Sequence, residues 1–281
     1  MQQREAFIDV LYEAAKTDPS IMFLSADFGS PSLDVWRKDL PAQFVHCGIS
    51  EQNMINVAVG LALASKRPYV FAMSPFFLRA YEQLKMAAMH QVPITVISVG
   101  AGLSYAGSGP THYATEDIAC YRTLVNTGLY TCSTNGLAEA VARITLKSSK
   151  MMVVRLERGE LPEIYPASDA SNGFSVLHES NDQPPYVACG YLVHWLKSKG
   201  HNVVDLYRIK PIPPRLVAYL GDFPYVLTFE EQYASGGMGA AVMEALADAG
   251  KKTLVIRKTL PDRPIYENGT RDELLAGIWS M

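Results

Sequence analysis

Apolar and polar positions along this chain alternate between two rhythms. Over residues 3–16, Ala6, Phe7, Val10, Leu11, Ala14 and Ala15 recur at helical spacing and predict a helix with one apolar face. The run 21–25 (IMFLS) is short, apolar and followed by turn residues, which predicts a buried strand. The same exchange repeats: helix 51–65 then strand 69–73, helix 76–90 then strand 93–99, helix 115–124 then strand 128–132, helix 136–149 then strand 151–155. Continuous apolar strands separated by helices predict an α/β fold with a parallel sheet covered on both faces. Ligands of such sheets lie beyond the carboxyl ends of the strands, here the loops 26–35, 74–76 and 100–114.

The rhythm breaks at 160–185, where Pro162, Pro166, Ser168, Ser171, Asn172, Gly173, Pro184 and Pro185 collect. A smaller β/α pattern follows: strand 186–189, helix 190–199, strands 202–206 and 225–229, helix 237–249 and strand 253–257. The expected organisation is a first domain over 1–165, a linker over 166–184 and a second α/β domain over 185–281.

Composition narrows the function. With 48% apolar and 19% charged residues the 281-residue chain is globular in type. A net charge of −3 without a Lys/Arg run offers nothing to a nucleic-acid backbone. Cys47, Cys120, Cys132 and Cys189 form no C-x-x-C pair, which points away from a disulfide framework or structural zinc and toward a reducing, cytoplasmic setting. The amino terminus is polar and amphipathic, unlike a secretory signal, and the longest apolar run, 54–64, is too short for a bilayer.

Four stretches carry candidate chemistry. In HCGISEQNM (46–54), Glu51 stands at the start of an apolar helix. A carboxylate there suits the helix dipole and needs no further role. Enclosure by apolar neighbours would instead favour its protonated form, as a proton shuttle near neutral pH requires. The glycine-rich loop 100–117 follows a strong strand and carries a single His112 before a helix start at Thr115-Glu116-Asp117. Gly236-Gly237-Met238-Gly239 precedes a helix and could offer N–H groups to an anion, although it lacks a complete nucleotide-binding motif. Tight helix–sheet packing is the plainer use. Phe76 and Phe77 follow a strand end, which places at least one of them near a site on this sheet.

SADFGS (25–30), GISEQNMINVAVGLALASKRPYV (48–70), SPFFLRAYEQL (74–84), GSGPTHYATEDIA (107–119), VRLERGELPEIY (154–165) and IKP…FEEQYASGGMGAAV (209–242) together resemble, in order, the carboxyl-terminal half of the transketolase family of thiamine diphosphate enzymes. The resemblance implies that Glu51 hydrogen-bonds the pyrimidine N1′ of the cofactor and exchanges a proton with it, that Phe76 stacks on the ring with Arg79 nearby, and that Asp27 lies close to the pocket. It further implies that His112 meets substrate oxygens and Arg158 a sugar phosphate, with Arg4 and Ser30 or Ser32 assisting.

Two departures stand out. The family usually has Asp before Gly-Pro-Thr-His, where this chain has Ser108, which puts the usual ketose-phosphate donor in question. The family's diphosphate domain, with its Gly-Asp-Gly and downstream Asn for Mg²⁺, is missing. The resemblance therefore implies one subunit of a split enzyme, in which an amino-terminal, diphosphate-binding partner holds Mg²⁺ and shares the thiamine diphosphate. The implied assembly is an α2β2 heterotetramer, moving a two-carbon ketol or acyl unit from a ketose or 2-oxoacid donor to an aldehyde acceptor. Two rivals remain at this point: the β-subunit of a 2-oxoacid dehydrogenase, which usually has His-Ser-Gln in the loop where this chain has GPTHYATED, and a non-catalytic scaffold descended from such a subunit.

Overall fold

A computed structural model describes residues 1–26, 29–167, 170–177 and 183–279. The first unit runs α1 (Gln3–Ala15), β1 (Ile21–Ser25), α2 (Pro31–Asp39), β2 (Phe44–His46), α3 (Glu51–Leu63), β3 (Arg67–Met73), α4 (Ser74–Phe77), α5 (Tyr81–Met89), β4 (Thr95–Val99), α6 (Asp117–Arg122), β5 (Gly128–Thr131), α7 (Asn135–Thr145) and β6 (Met152–Leu156). The second runs β7 (Ser175–Val176), β8 (Tyr186–Ala188), α8 (Tyr191–Ser198), β9 (Val203–Asp205), β10 (Arg208–Lys210), α9 (Pro214–Leu220), β11 (Tyr225–Tyr233), α10 (Met238–Asp248), β12 (Leu254–Leu260) and α11 (Arg271–Trp279).

Two sheets result. The seven-stranded sheet has the order β10-β5-β6-β4-β3-β1-β2, parallel except for β10, and the five-stranded sheet has the order β12-β11-β8-β9-β7, parallel except for β7. Strands β1, β4 and β6 are buried along their whole length, which is why they read as unbroken apolar runs. β10 comes from the chain beyond residue 185 yet hydrogen-bonds to the edge of the first sheet, so the two units are interleaved. One apolar cluster also joins them, running from Met54 and Ala58 of α3 through Ile118 of α6 to Val204 and Leu216.

Two expectations change here. The expected helix 76–90 is three pieces: the short α4, a 3₁₀ turn over Leu78–Ala80, then α5. The helix behind Glu51, apolar enough in sequence to suggest burial on most sides, is buried on one side only. Met54, Ile55, Ala58 and Ala62 of α3 face the core, while Asn53, Asn56, Val57, Gly60 and Leu63 face outward.

Candidate active site

The parallel strands end on one side of the first sheet, and the connections leaving β1, β2, β3, β4 and β6 supply the candidate residues, apart from Arg4 on α1 and Ser32 on α2. Glu51 is the first residue of α3, three residues beyond the positive-φ turn at Gly48, and is only 2% exposed. It lines a cavity of about 210 Å³ with Ala26, Ile49, Ala72, Met73, Phe76 and Arg79. Cavities of about 150 Å³ accept benzene, so one six-membered ring fits this space. The walls are apolar except for the Glu51 carboxylate and the Arg79 guanidinium, whose Nη1 lies 3.5 Å from Glu51 Oε2. Arg79 also sits over the Phe76 ring, 5.2 Å from its centre. A buried carboxylate, an aromatic face and an apolar slot match a flat ring with a basic nitrogen on its edge, so these residues fit an aminopyrimidine.

His112 ends a 3₁₀ turn, Pro110–His112, and is half-buried. Its ring meets Phe76 edge-on at 5.7 Å and Tyr105 at 6.2 Å, while Nδ1 shares a 2.9 Å hydrogen bond with the Thr111 hydroxyl. Tyr105 in turn carries Arg158, with the guanidinium 4.5 Å from the ring centre. Glu51, Arg79, Phe76, His112, Tyr105 and Arg158 thus form one unbroken line of contacts. Arg158 is exposed and has no carboxylate partner among the described residues, so its donors are free for an anion.

Arg4 approaches the same end of the line. Burial raises the Tyr105 phenol above its ordinary value, and the Arg158 and Arg4 charges oppose that rise. Arg4 Nε donates to Glu5 at 2.8 Å, and the Ser30 hydroxyl donates to the same Glu5 oxygen at 3.2 Å. The Ser32 hydroxyl donates to Asp9 instead, and no contact among the described residues joins it to the line. Ser108 lies at the exposed tip of the loop that carries His112. Asp27 lies outside the described residues.

Tyr105 was not singled out by motif, although it is the piece that joins His112 to Arg158. Its sequence signal is Gly100, at φ +94°, where a Cβ would collide with the Tyr105 ring. Sequence reasoning also missed two anchors of this loop. At its exit, Arg155 of β6 grips Asp117 through Nε–H (2.7 Å) and Nη2–H (3.1 Å), fully buried. At its entry, Arg271 of α11 contacts Glu157 and Ser104. The glycine-rich loop is pinned at both ends.

The Gly236–Gly239 segment does not present an open anion site. Glu230 is buried behind it and accepts the Gly239 N–H at 3.0 Å, so the chain's own carboxylate meets the start of α10. Among the described residues no group of three or more His, Cys, Asp and Glu could hold a metal ion. No helix among them is long and apolar enough to cross a membrane.

Residues 1–163 match the family model of the transketolase pyrimidine-binding domain. The chain belongs to the transketolase family. Residues 196–278 match the transketolase C-terminal domain, in the family's order. The chain is 28% identical to one of the subunits of the apulose-4-phosphate transketolase of Phocaeicola vulgatus, across 97% of this chain and 91% of that protein. It is 27% identical to the transketolases of Pongo abelii and Homo sapiens across 86% of its own length, and spans 42% of theirs. Among solved structures, a split-gene transketolase described as an inactive beta4 tetramer superposes with a TM-score of 0.84 at 27% identity, covering 99% of this chain and 93% of the other. A Pichia stipitis transketolase variant superposes at 0.76 with 18% identity, covering all of this chain and 43% of that one, which speaks for the fold. In length and domain order the chain thus resembles the subunits of split transketolases, and it belongs to a transferase-type family that uses thiamine diphosphate.

Proposed function

We propose that this chain is the pyrimidine-binding subunit of a cytoplasmic two-component transketolase-like enzyme that transfers a two-carbon ketol unit to an aldehyde acceptor. The observation that carries the reading is Glu51, buried beside an aromatic wall in a slot of single-ring size. Thiamine diphosphate, when bound, supplies the carbanion chemistry by which such a unit is carried. Glu51 would hold a proton at the ring nitrogen on the pocket floor, and Phe76 would lie against the ring face. His112 would orient the oxygens of the transferred unit from beyond Phe76. Arg158, with Arg4 behind Tyr105, would take the phosphate of a phosphorylated substrate through paired N–H donors.

Mg²⁺ and the diphosphate would be held by a separate amino-terminal-type subunit in an α2β2 heterotetramer. A relative of matching length, itself one subunit of a transketolase, supports this. Ser108 at the loop tip, a neutral hydroxyl where the family usually has a carboxylate, favours a donor other than the usual ketose phosphates.

Calorimetric titration of thiamine diphosphate with Mg²⁺ tests the division of labour. The chain alone should show weak, magnesium-insensitive binding, and the chain reconstituted with its partner should show tight, magnesium-dependent binding. Tight magnesium-dependent binding by the chain alone would overturn the proposal.

A further inference from the structure

The loop that carries His112 belongs as much to the second unit as to the first. It leaves β4 at Gly100 and closes at Ala114, whose N–H donates to the Gly102 carbonyl at 2.9 Å. Between these points Leu103, Ala106 and Tyr113 turn away from the first sheet and are buried in a cluster with Leu192, Phe229 and Leu274. These last three come from α8, β11 and α11.

A polar knot sits at the base of the same loop. Arg271, the first residue of α11, donates Nε–H to Glu231 Oε1 (2.7 Å), Nη1–H to Glu157 Oε2 (2.7 Å) and to Ser104 Oγ (3.2 Å), and Nη2–H to the Ala101 carbonyl (3.3 Å). Its guanidinium lies 4.2 Å from the centre of the Tyr191 ring. Glu231 also receives the Leu103 backbone N–H, and the Ser104 hydroxyl reaches Glu157. Gly102, at φ +57°, is where a Cβ would collide with the Glu231 carboxylate.

The charges do not balance as a plain ion pair would. One guanidinium faces two buried carboxylates. Burial raises the Glu231 carboxyl above its ordinary value against the pull of Arg271. Glu157 is equally buried, but Arg271, Ser104 and the Tyr191 N–H hold it below the usual range. Such knots are poor sources of stability, because desolvation consumes most of the Coulombic gain. What this one does supply is registry, since its two side-chain partners on the first unit, Glu157 and Ser104, each immediately precede a residue of the candidate site. Glu157 precedes Arg158, and Ala101 and Ser104 flank the approach to Tyr105.

We propose that Arg271, from the last helix of the chain, is a positioning residue for the substrate end of the active site. Through Glu157 it fixes the turn that presents Arg158. Through Ala101 and Ser104 it fixes the loop that presents Tyr105 and His112. The functional meaning of those three residues rests on the reading above, while the clamp itself does not.

Three variants separate the roles. Ser104→Ala removes only the hydroxyl between loop and Glu157. Arg271→Lys keeps a charge but loses the planar fork. Arg271→Met with Glu231→Gln and Glu157→Gln removes the guanidinium and both carboxylates together, so that no unpaired charge is left buried to unfold the chain. Hydrogen–deuterium exchange on the full chain, which needs no partner, cofactor or substrate, should show amides 103–113 exchanging about tenfold faster in the Arg271 variants and less so in Ser104→Ala. Exchange in β11 and β12 should stay as in the unaltered chain. Reconstituted with the partner, Arg271→Lys should lose roughly ten- to a hundredfold in kcat/KM for glyceraldehyde 3-phosphate, mostly in KM, and clearly less for glyceraldehyde. Unaltered exchange in the loop would overturn the clamp. Equal losses on the two acceptors would overturn the positioning role, since a merely structural defect lowers the active fraction for both alike.

Discussion

Glu51 illustrates how little a residue type says before its surroundings are known. An acid in the first turn of a helix is ordinary, and solvent exposure would have left the dipole as its whole explanation. Instead it is buried at the bottom of a slot, with Phe76 on one wall and a single guanidinium, Arg79, as counter-charge at 3.5 Å. Glu51→Gln keeps the size and a hydrogen-bonding group but cannot exchange a proton. It should lower kcat of the reconstituted enzyme by roughly 10²–10⁴-fold, the usual weight of one positioned acid–base group. Sedimentation should show the assembly intact. Turnover within a factor of two of the unaltered enzyme would return Glu51 to its plain capping role and favour the non-catalytic scaffold.

At the scale of elements, the strands that form the middle of the first sheet were legible because they are buried on both faces and therefore uniformly apolar. The missed elements share a different physics. β2 and β10 are three-residue strands at sheet edges, too short and too partly exposed to carry a pattern. α2 buries only Leu33 and Trp36, and α11 only Leu274 and Leu275. The candidate residues were legible as motifs, but Tyr105 and Arg271 were not, because their meaning lies in contacts across the chain. The seam between the units holds another such group. Asp205, at the end of β9, accepts from Tyr165 at 2.7 Å and from Ser133, and its second oxygen has no partner among the described residues. Burial pushes its carboxyl up to about 7, with those two hydrogen bonds pulling the other way. An unfolded Asp titrates at ~3.9, so between that pH and about 7 the folded chain binds the extra proton. Its stabilising contribution is full below that window and is lost as pH rises through it, by about 4 kcal/mol at most. Urea denaturation of the full chain should therefore show falling stability from about pH 4 to about pH 7. Glu230, likewise pushed up to about 7 by burial, contributes in the same direction. Asp205→Asn should flatten the fall in part, leaving the Glu230 share. An identical slope in the variant would remove Asp205 from the account.

For the whole molecule, the question is what meets the open side of the pocket. Ile49 lines the pocket and is 73% exposed, and it immediately precedes the turn into α3. From there α3 shows Val57 and Leu63 to solvent, and α5, packed beside it, shows Met86 and Met89. A helix that is apolar overall but buried on one side is a surface made to be covered. On the function proposed above, in which Glu51 grips one end of the cofactor and a second polypeptide the other, that polypeptide would have to reach the pocket mouth, and this face borders it. Leu63→Arg tests the assignment cleanly. Leu63 is 61% exposed, so the change should cost the isolated chain no more than about 0.5 kcal/mol, a melting shift of roughly 2 °C or less. In the assembly it would bury an unpaired charge, which costs several kcal/mol and should weaken association with the diphosphate-binding subunit by a hundredfold or more. Light scattering after size exclusion, on the two chains mixed, reads the outcome directly. Loss of the complex with an unchanged melting temperature is the expected result. A complex that forms as before would mean that α3 and α5 face solvent in the working enzyme, and that the partner reaches Glu51 by another route.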